Sequence, residues 1–472
     1  MVETTSGPPP PDRQIARFLR HTLRSPIATL PVFESAALFF VPFEARWLLR
    51  IPSGIADIPG AIEFVVVTVI ALLAMGLYSR RQRAGAIGIL SRVAAAVVFA
   101  SAAIGFLSYI YPPLAVERPV FLLSGPLAVF ACAVIRYGFE RFFDEAYFKR
   151  RVLVYGVGQR AISVMQLRRR SDTRGFLVVG FVATEGDKPL VDRDRVVSPP
   201  GGLLRYCLEA DVDEIVMAMD DRRRAFPVHE LLECRLAGIV VTELVDFLES
   251  ETGKVHLSVL NPSWIIFAPG FSRSQLRQFT ERSLDLASCL VLLAVAWPVM
   301  LAAALAILIE DGISAPVLYQ QVRVGLEGRR FNVLKFRSMR IDAEGGGKPI
   351  WATAADPRVT RVGGIMRKLR IDELPQLFNV LRGDMSFVGP RPERPEFVQE
   401  LEQTVPYYRE RHSVKPGITG WAQLCYPYGA SMQDAIEKLQ YDLYYVKNHS
   451  LLFDVMILLQ TAEVVIWGKG AR

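Results

Sequence analysis

The sequence predicts a multi-domain membrane protein: an α-helical transmembrane bundle, then a parallel α/β domain, then a mainly α-helical C-terminal domain that holds a re-entrant membrane helix. Three observations predict it. Long apolar runs are confined to 27–136 and 284–309, while 137–282 and 310–450 carry charges throughout. Strand-like and helical runs alternate across about 150–265, the pattern of a parallel sheet with crossover helices.

Composition narrows the partners. Of 472 residues 51% are hydrophobic, and the net charge of +7 is carried by basic residues clustered beside the apolar runs. Anionic lipid or phosphate fits that placement, and nucleic acid does not. The five cysteines, Cys132, Cys207, Cys234, Cys289 and Cys425, are scattered and never form C-x-x-C, so neither a disulfide framework nor a zinc site is indicated and the soluble parts are expected in the cytoplasm. The Pro-rich start, 1–26, reads as a disordered cytoplasmic tail and not a signal peptide.

Residues 27–140 are expected to hold four transmembrane helices, at about 27–48, 61–78, 86–110 and 119–136, each near the ~20 residues that cross a bilayer core. The first is the least apolar, with Glu34 and Glu44 inside it. Arg13, Arg17, Arg20 and Arg24 precede it, Arg80, Arg81 and Arg83 fill the middle loop, and Arg136, Arg141, Lys149, Arg150 and Arg151 follow the fourth. Both ends of the bundle are therefore expected on the cytoplasmic side.

Residues 145–268 read as a Rossmann-like α/β domain. Strand-like "RRVLVY" runs into a Gly-x-Gly turn at Gly156 and Gly158, and "GFLVVGFVA", "DEIVMAMD" and "GIVVTELVDF" supply further strands. The turn suggests nucleotide binding, but Glu185 is a poor ribose ligand and no Tyr-x-x-x-Lys pair follows. Two readings stay open: an NAD-dependent enzyme domain, or a scaffold or regulatory domain that keeps the topology.

A linker or interfacial helix is expected over 269–282, and a re-entrant helix over 284–310. Pro298 interrupts the run near its middle, Asp285 lies just inside its start, and both flanks are basic, so a single crossing would carry one basic cluster to the far side. A dip into one leaflet leaves both clusters on one face.

The chemistry follows the dip. Lys335 and Arg337 in "FNVLKFRSM" are two apart, on one face of a strand. In "LRIDELPQLFNVLRGDMSFVGPRP", Pro375 allows a helix to begin near Asp372, burying Leu374, Leu377, Phe378 and Leu381 and placing Asp372 and Glu373 at its N-terminus. Arg367, and Arg391 in the rigid Gly389-Pro390-Arg391-Pro392 turn, could meet the same anion, since guanidinium forks match phosphate. A carboxylate ringed by cations stays ionised and can attack phosphorus, and the adjacent pair could hold Mg²⁺. Two solvated caps are the bland alternative, and a non-catalytic membrane scaffold is the corresponding non-enzyme reading.

Over about 280–472 the chain resembles the bacterial polyprenyl-phosphate sugar-1-phosphate transferases, the monotopic phosphoglycosyl transferases, through "KFRSM", "RKLRIDELPQLFNVLRGDMSFVGPRP", "VKPGITGWAQ" and "YDLYYVKNHSLLFD". The four helices and α/β domain resemble the large exopolysaccharide-initiating members, and "LNPSWIIFAPGF" (260–271) resembles the exosortase-associated subgroup. The resemblance implies a catalytic domain over 283–472 on the cytoplasmic face that moves a sugar-1-phosphate from a UDP-sugar to undecaprenyl phosphate and releases UMP. Asp372 would be the nucleophile and Glu373 a metal ligand or base, with Lys335, Arg337, Arg367, Pro390 and Arg391 binding substrate, Mg²⁺ as cofactor, and membrane lipid and a second copy of the chain as partners. Trp297 stands where many members carry Ser before the proline, lipid headgroup contact would rest on Arg282, and Trp421 in "GITGWAQ" would position a loop over the site or form a structural turn.

Overall fold

The computed structural model describes residues 26–78, 86–111, 117–142, 149–167, 175–221, 226–260, 270, 275–312, 315–340, 358–426, 429 and 431–467. The N-terminal tail, Arg80, Arg81 and Arg83, and "LNPSWIIFAPGF" beyond Leu260 except Gly270 lie outside the described residues. The chain divides into two compact units, Met1–Thr252 and Gly253–Arg472.

The first unit opens with four helices at the expected places: α1 Pro26–Leu48, α2 Ile58–Ala74, α3 Ala86–Ile110 and α4 Arg118–Phe142. Leu38, Val41, Phe64, Leu72, Val93, Val97, Ile104 and Cys132 form their shared core. Segments within α2, α3 and α4 are long and apolar enough to cross a membrane, whereas α1 is not among the four described helices that qualify; the fourth is in the second unit. Of the two acids that set α1 apart, Glu44 is exposed and Glu34 is paired inside the bundle, as is Arg46 near the end of the helix. Glu34 meets Arg136 of α4 at 2.6 Å and accepts from Tyr78, while Arg46 meets Asp57 at 2.7 Å and Glu117 at 3.3 Å. Charges in apolar surroundings persist when they neutralise one another in this way.

A five-stranded parallel sheet follows, in the order β3-β2-β1-β4-β5. Its strands are β1 Arg150–Tyr155, β2 Phe176–Val182, β3 Val196–Val197, β4 Glu214–Met217 and β5 Val240–Glu243, and the helices among and after them are α5 Gln159–Met165, α6 Leu203–Glu209, α7 Val228–Leu236 and α8 Leu244–Thr252. Four answer the strand-like runs in the sequence; β3 is two residues long, too short to show alternation. The sheet's core joins Leu153, Val182, Leu203, Cys207, Ile215, Met217 and Ile239. Continuous apolar strands of this kind are what a sheet covered on both faces requires.

The second unit begins at Gly253: Val255 is buried against Val324, Val398, Leu439 and Leu443. One helix, α9, runs from Gln275 to Asp311 and passes through Pro298. It includes residues 275–282 of the anticipated linker. Val291, Val295, Trp297, Leu301, Leu305 and Ile309 are exposed along it. The hairpin β6 Leu318–Val324 and β7 Arg330–Phe336 comes next, then α10 Arg361–Lys368, a 3-10 turn Ile371–Glu373, α11 Gln376–Arg382 and β8 Ser386–Val388. β8 pairs in parallel with β9 Gly417–Thr419. The remaining helices are α12 Pro395–Thr404, α13 Trp421–Cys425, α14 Met432–Asn448 and α15 Leu451–Trp467.

Candidate active site

Four pieces of the second unit converge on the adjacent carboxylates. β7 delivers Lys335: its chain neighbours Leu334 and Phe336 are buried on one face of the strand, which turns the lysine to the other. Helix α10 delivers Arg367; its first amides are satisfied by Thr360, which accepts from Gly363 N, and by Glu310 at the end of α9, which accepts from Arg361 N at 2.8 Å and Val362 N at 3.1 Å. Arg370 takes a left-handed conformation, φ 57°, which breaks the chain direction between α10 and the 3-10 turn. The turn Gly389-Pro390-Arg391 delivers the last cation. Gly389 cannot be replaced without shifting backbone, because a Cβ there would lie 2.3 Å from the Lys415 carbonyl oxygen.

The helix expected to start near Asp372 starts at Gln376, capped by Pro375, and the two acids occupy the separate 3-10 turn before it. The buried face shifts accordingly: Leu377 and Val380 are fully buried, Leu374 and Leu381 are partly buried, and Phe378 turns outward. Asn379 explains the rotation. Its side chain accepts from Leu334 N at 2.9 Å and donates to Asn332 O at 2.7 Å, fastening α11 to β7 and so the carboxylates to Lys335.

The cations do not ring both acids alike. Glu373 Oε1 lies 3.2 Å from Lys335 Nζ and 2.9 Å from Arg391 Nη2, and Oε2 lies 3.8 Å from Arg370 Nη1. Burial alone would raise Glu373, but Arg391 and then Lys335 overcome it and hold the carboxyl well below the usual range. Burial pushes the Lys335 ammonium down, against the pull of Glu373, with Arg391 and Arg323 adding repulsion. Asp372 goes the opposite way to the sequence expectation. Burial first, and the charge of Glu373 second, raise its carboxyl above the ordinary aspartate value, and Lys335 and Arg367 only partly offset this. Among the described residues no other side chain hydrogen-bonds or ion-pairs with the Asp372 carboxyl, which is helped only by its own backbone amide. One acid is pinned and spent on cations; its neighbour is free and poorly stabilised as an anion.

Arg367 makes no ion pair among the described residues, yet its charge reaches Asp372. Pro390 is buried and stiffens the turn before Arg391. Arg337 does not join the cluster. It lies beyond the end of β7, nearly buried, with Nη2 2.7 Å from Asp311 of α9 and with Nε and Nη1 unpartnered. Residues that sequence reasoning did not assign hold the frame. Asp285 Oδ1 accepts from Ser386 Oγ at 2.8 Å and Phe387 N at 2.9 Å, and Cys289 Sγ lies 3.3 Å from Leu377 O. Arg282, expected at a lipid headgroup, instead donates to Val380 O and Leu381 O at the end of α11. The signal for these was present: 282, 285 and 289 fall on one helical face. Trp421 is buried, stacks on Tyr444 and donates to Gly253 O at 2.8 Å, a structural position and not a loop over the site.

The Gly156–Gly158 turn of the first unit has its own tenants. Asp220 accepts from Gln159 N and Arg160 N, both at 2.9 Å, and Asp187 accepts from Val157 N at 3.0 Å and Asp220 N at 3.0 Å. A Cβ on Gly158 would sit 2.0 Å from Asp220 Oδ2, so the glycine admits a carboxylate of the chain itself. The amides on which a pyrophosphate would rest are already engaged.

The donor set at the carboxylate turn fits a hard divalent cation in part: Asp372 and Glu373 offer oxygens, and no other side chain is paired with Asp372. Among the described residues no group of three or more His, Cys, Asp or Glu could hold a metal, so phosphate oxygens and water would complete the shell, as is usual for Mg²⁺.

Comparisons with known proteins place the chain in a family. Residues 276–468 match the family described as bacterial sugar transferase. The chain is 42% identical over 242 residues to a UDP-N-acetylgalactosamine-undecaprenyl-phosphate N-acetylgalactosaminephosphotransferase of Aeromonas hydrophila, covering 51% of this chain and 56% of that protein. It is 32% identical over 331 residues to a UDP-glucose:undecaprenyl-phosphate glucose-1-phosphate transferase of Xanthomonas campestris pv. campestris, 68% of each. It is 30% identical over 388 residues to the protein of that description in Escherichia coli (strain K12), 79% of this chain and 80% of that one. The chain thus spans little more than half the first of these relatives and most of the other two. With its carboxylate turn and apolar helix α9 inside the matched stretch, the chain belongs to the bacterial sugar transferase family, alongside these undecaprenyl-phosphate sugar phosphotransferases.

Proposed function

We propose that the protein transfers a sugar-1-phosphate from a UDP-sugar to undecaprenyl phosphate, releasing UMP, through a covalent phosphosugar on Asp372. The observation that carries this is the division between the two acids: Glu373 is neutralised by Lys335 and Arg391, while Asp372 stands free and raised beside the unpaired Arg367. A half-desolvated carboxylate that no lysine or arginine is paired with is the better nucleophile of the pair.

In the first step an Asp372 oxygen attacks the sugar-bearing phosphorus. The bond from that phosphorus to the bridging oxygen breaks, and UMP leaves with the electron pair. In the second, a phosphate oxygen of the polyprenyl phosphate attacks the same phosphorus, the Asp372–phosphorus bond breaks, and the carboxylate is regenerated. Arg367 and the Lys335–Arg391 pair spread the diphosphate charge, the main demand in phosphoryl transfer. Mg²⁺, held through Asp372, Glu373 and the substrate diphosphate, would neutralise further charge at the leaving phosphate. Glu373 serves as an electrostatic anchor rather than a base toward the acceptor, because the cations beside it lower its affinity for a proton.

Helix α9 supplies the lipid side as a re-entrant element. Its early residues Arg282, Asp285 and Cys289 grip α11 and β8, while Ile307, Glu310 and Asp311 at its far end meet Met366, the start of α10 and Arg337. Both ends touch one soluble unit, and the exposed apolar stretch around Pro298 lies between them. A dip into the leaflet on the cytoplasmic face of the inner membrane satisfies that arrangement, and the reaction would initiate exopolysaccharide assembly there.

The test supplies the purified full chain with undecaprenyl phosphate and a panel of UDP-sugars, UDP-glucose and UDP-N-acetylgalactosamine included, and follows UMP. Release with one of them, lost in Asp372→Asn together with the covalent phosphosugar, is expected. Full activity in Asp372→Asn would overturn the covalent route, and no UMP from any sugar would overturn the reading.

A further inference from the structure

The turn that aims Arg391 is held carbonyl by carbonyl. Pro390 O accepts from Gly417 N at 3.0 Å, Pro392 O from Arg323 Nη1 at 3.1 Å, and Glu393 O from Val324 N at 3.0 Å. Between them, Arg391 O accepts from Nη2 of Arg411 at 2.9 Å. Arg411 is 5% exposed, so its guanidinium cannot itself meet a substrate. It is fixed on its other sides: Nε and Nη2 lie 3.0 and 2.8 Å from Asp442 Oδ2, and Nη1 donates to Tyr408 at 2.8 Å.

A buried ion pair is an expensive way to gain stability, since well-packed apolar residues of like volume often serve as well. What apolar residues could not do is present a charged donor to one chosen carbonyl. We infer that Arg411, oriented by Asp442, is a positioning residue of the transferase: it fixes the backbone of Arg391 so that the Arg391 guanidinium meets Glu373 and the incoming diphosphate. This rests on the catalytic reading above. Arg411 acts only through Arg391, and its contribution disappears when the Arg391 side chain is absent.

That dependence gives the test, a double-mutant cycle on UMP release by the full chain in detergent. Arg411→Lys keeps the charge beside Asp442 but loses the fork that reaches three partners. We expect kcat to fall about 10-fold or more with KM for the UDP-sugar within about threefold, a loss realised in the transition state. In the Arg391→Ala background, Arg411→Lys should cost less than about a further twofold, against the ~10-fold it costs alone. Asp442→Asn, which keeps shape and an acceptor, is carried through the same cycle and decides the matter if Arg411→Lys does not fold. Equal losses in both backgrounds, or a folded Arg411→Lys with the parent's kcat, would overturn the inference. A parent protein inactive on every UDP-sugar would overturn the catalytic reading and this inference with it, an outcome distinct from an active parent with additive losses.

Discussion

Nη2 of Arg391 lies 2.9 Å from Oε1 of Glu373, and the same oxygen is 3.2 Å from Lys335 Nζ. The two neighbouring acids therefore stand in different surroundings, Glu373 paired with cations and Asp372 with none. Their conservative variants should separate. Asp372→Asn should lose UMP release by about 10³-fold or more and retain no covalent phosphosugar, as removal of a nucleophile does. Glu373→Gln should still form the adduct, because Asp372 remains, with turnover slowed by roughly 10–100-fold as the cation geometry loosens. Intact-protein mass spectrometry after UDP-sugar addition, with UMP quantified in parallel, distinguishes them.

How much of this was legible follows a physical line. Helices α1 to α4 and strands β1, β2, β4 and β5 could be read because apolar period is a local property of sequence. Lys335, Arg367, Arg391 and the acids could be named because their residue types suit phosphate. Which acid takes the cations could not be read: that depends on Asn379 fastening α11 to β7, a contact across 45 residues. Arg337 shows the same limit in reverse. Its two-residue spacing from Lys335 put it on the catalytic face, but the strand ends at Phe336 and Asp311 from α9 captures the guanidinium.

In the α/β domain, Asp220 accepts from two amides at the start of the helix after Gly158, and it does so where a cofactor phosphate would rest. Adding NAD(H) to the full chain should give no saturable binding by calorimetry. Gly158→Ala should destabilise the first unit by roughly 1–3 kcal/mol, as a Cβ displaces a charged acceptor. Asp220→Ala should cost a similar amount, roughly 1–3 kcal/mol, and the double variant clearly less than the sum, because the second change has no carboxylate left to displace. Chemical denaturation of the four proteins checks this, and strict additivity would contradict the shared geometry.

Asp285 is 2% exposed and serves two donors of β8, Ser386 Oγ and Phe387 N. Asp285→Ala strands both donors in the interior and should cost roughly 1–3 kcal/mol, while Asp285→Asn, whose Oδ1 accepts as before, should cost much less. Thermal unfolding in one detergent gives the comparison. Equal midpoints for the Ala variant and the parent would show that β8 does not depend on α9.

Asp454 gives the clearest pH dependence. Burial pushes this α15 carboxyl up to about 7, with Tyr445 donating to it at 2.8 Å as the main opposing influence. In the unfolded chain an aspartate titrates near ~3.9. Between the two values the folded protein binds more protons than the unfolded one, so this group makes stability fall as pH rises from about 4 to about 7 and adds no slope above that. Asp454→Asn should remove that portion of the slope and gain most, relative to the parent, at pH 7 and above. Unfolding midpoints of both proteins from pH 4.5 to 8, approximate bounds set to bracket the titration, measure it. A parent-minus-variant difference that stays constant across the range would show that Asp454 is already ionised at the acid end.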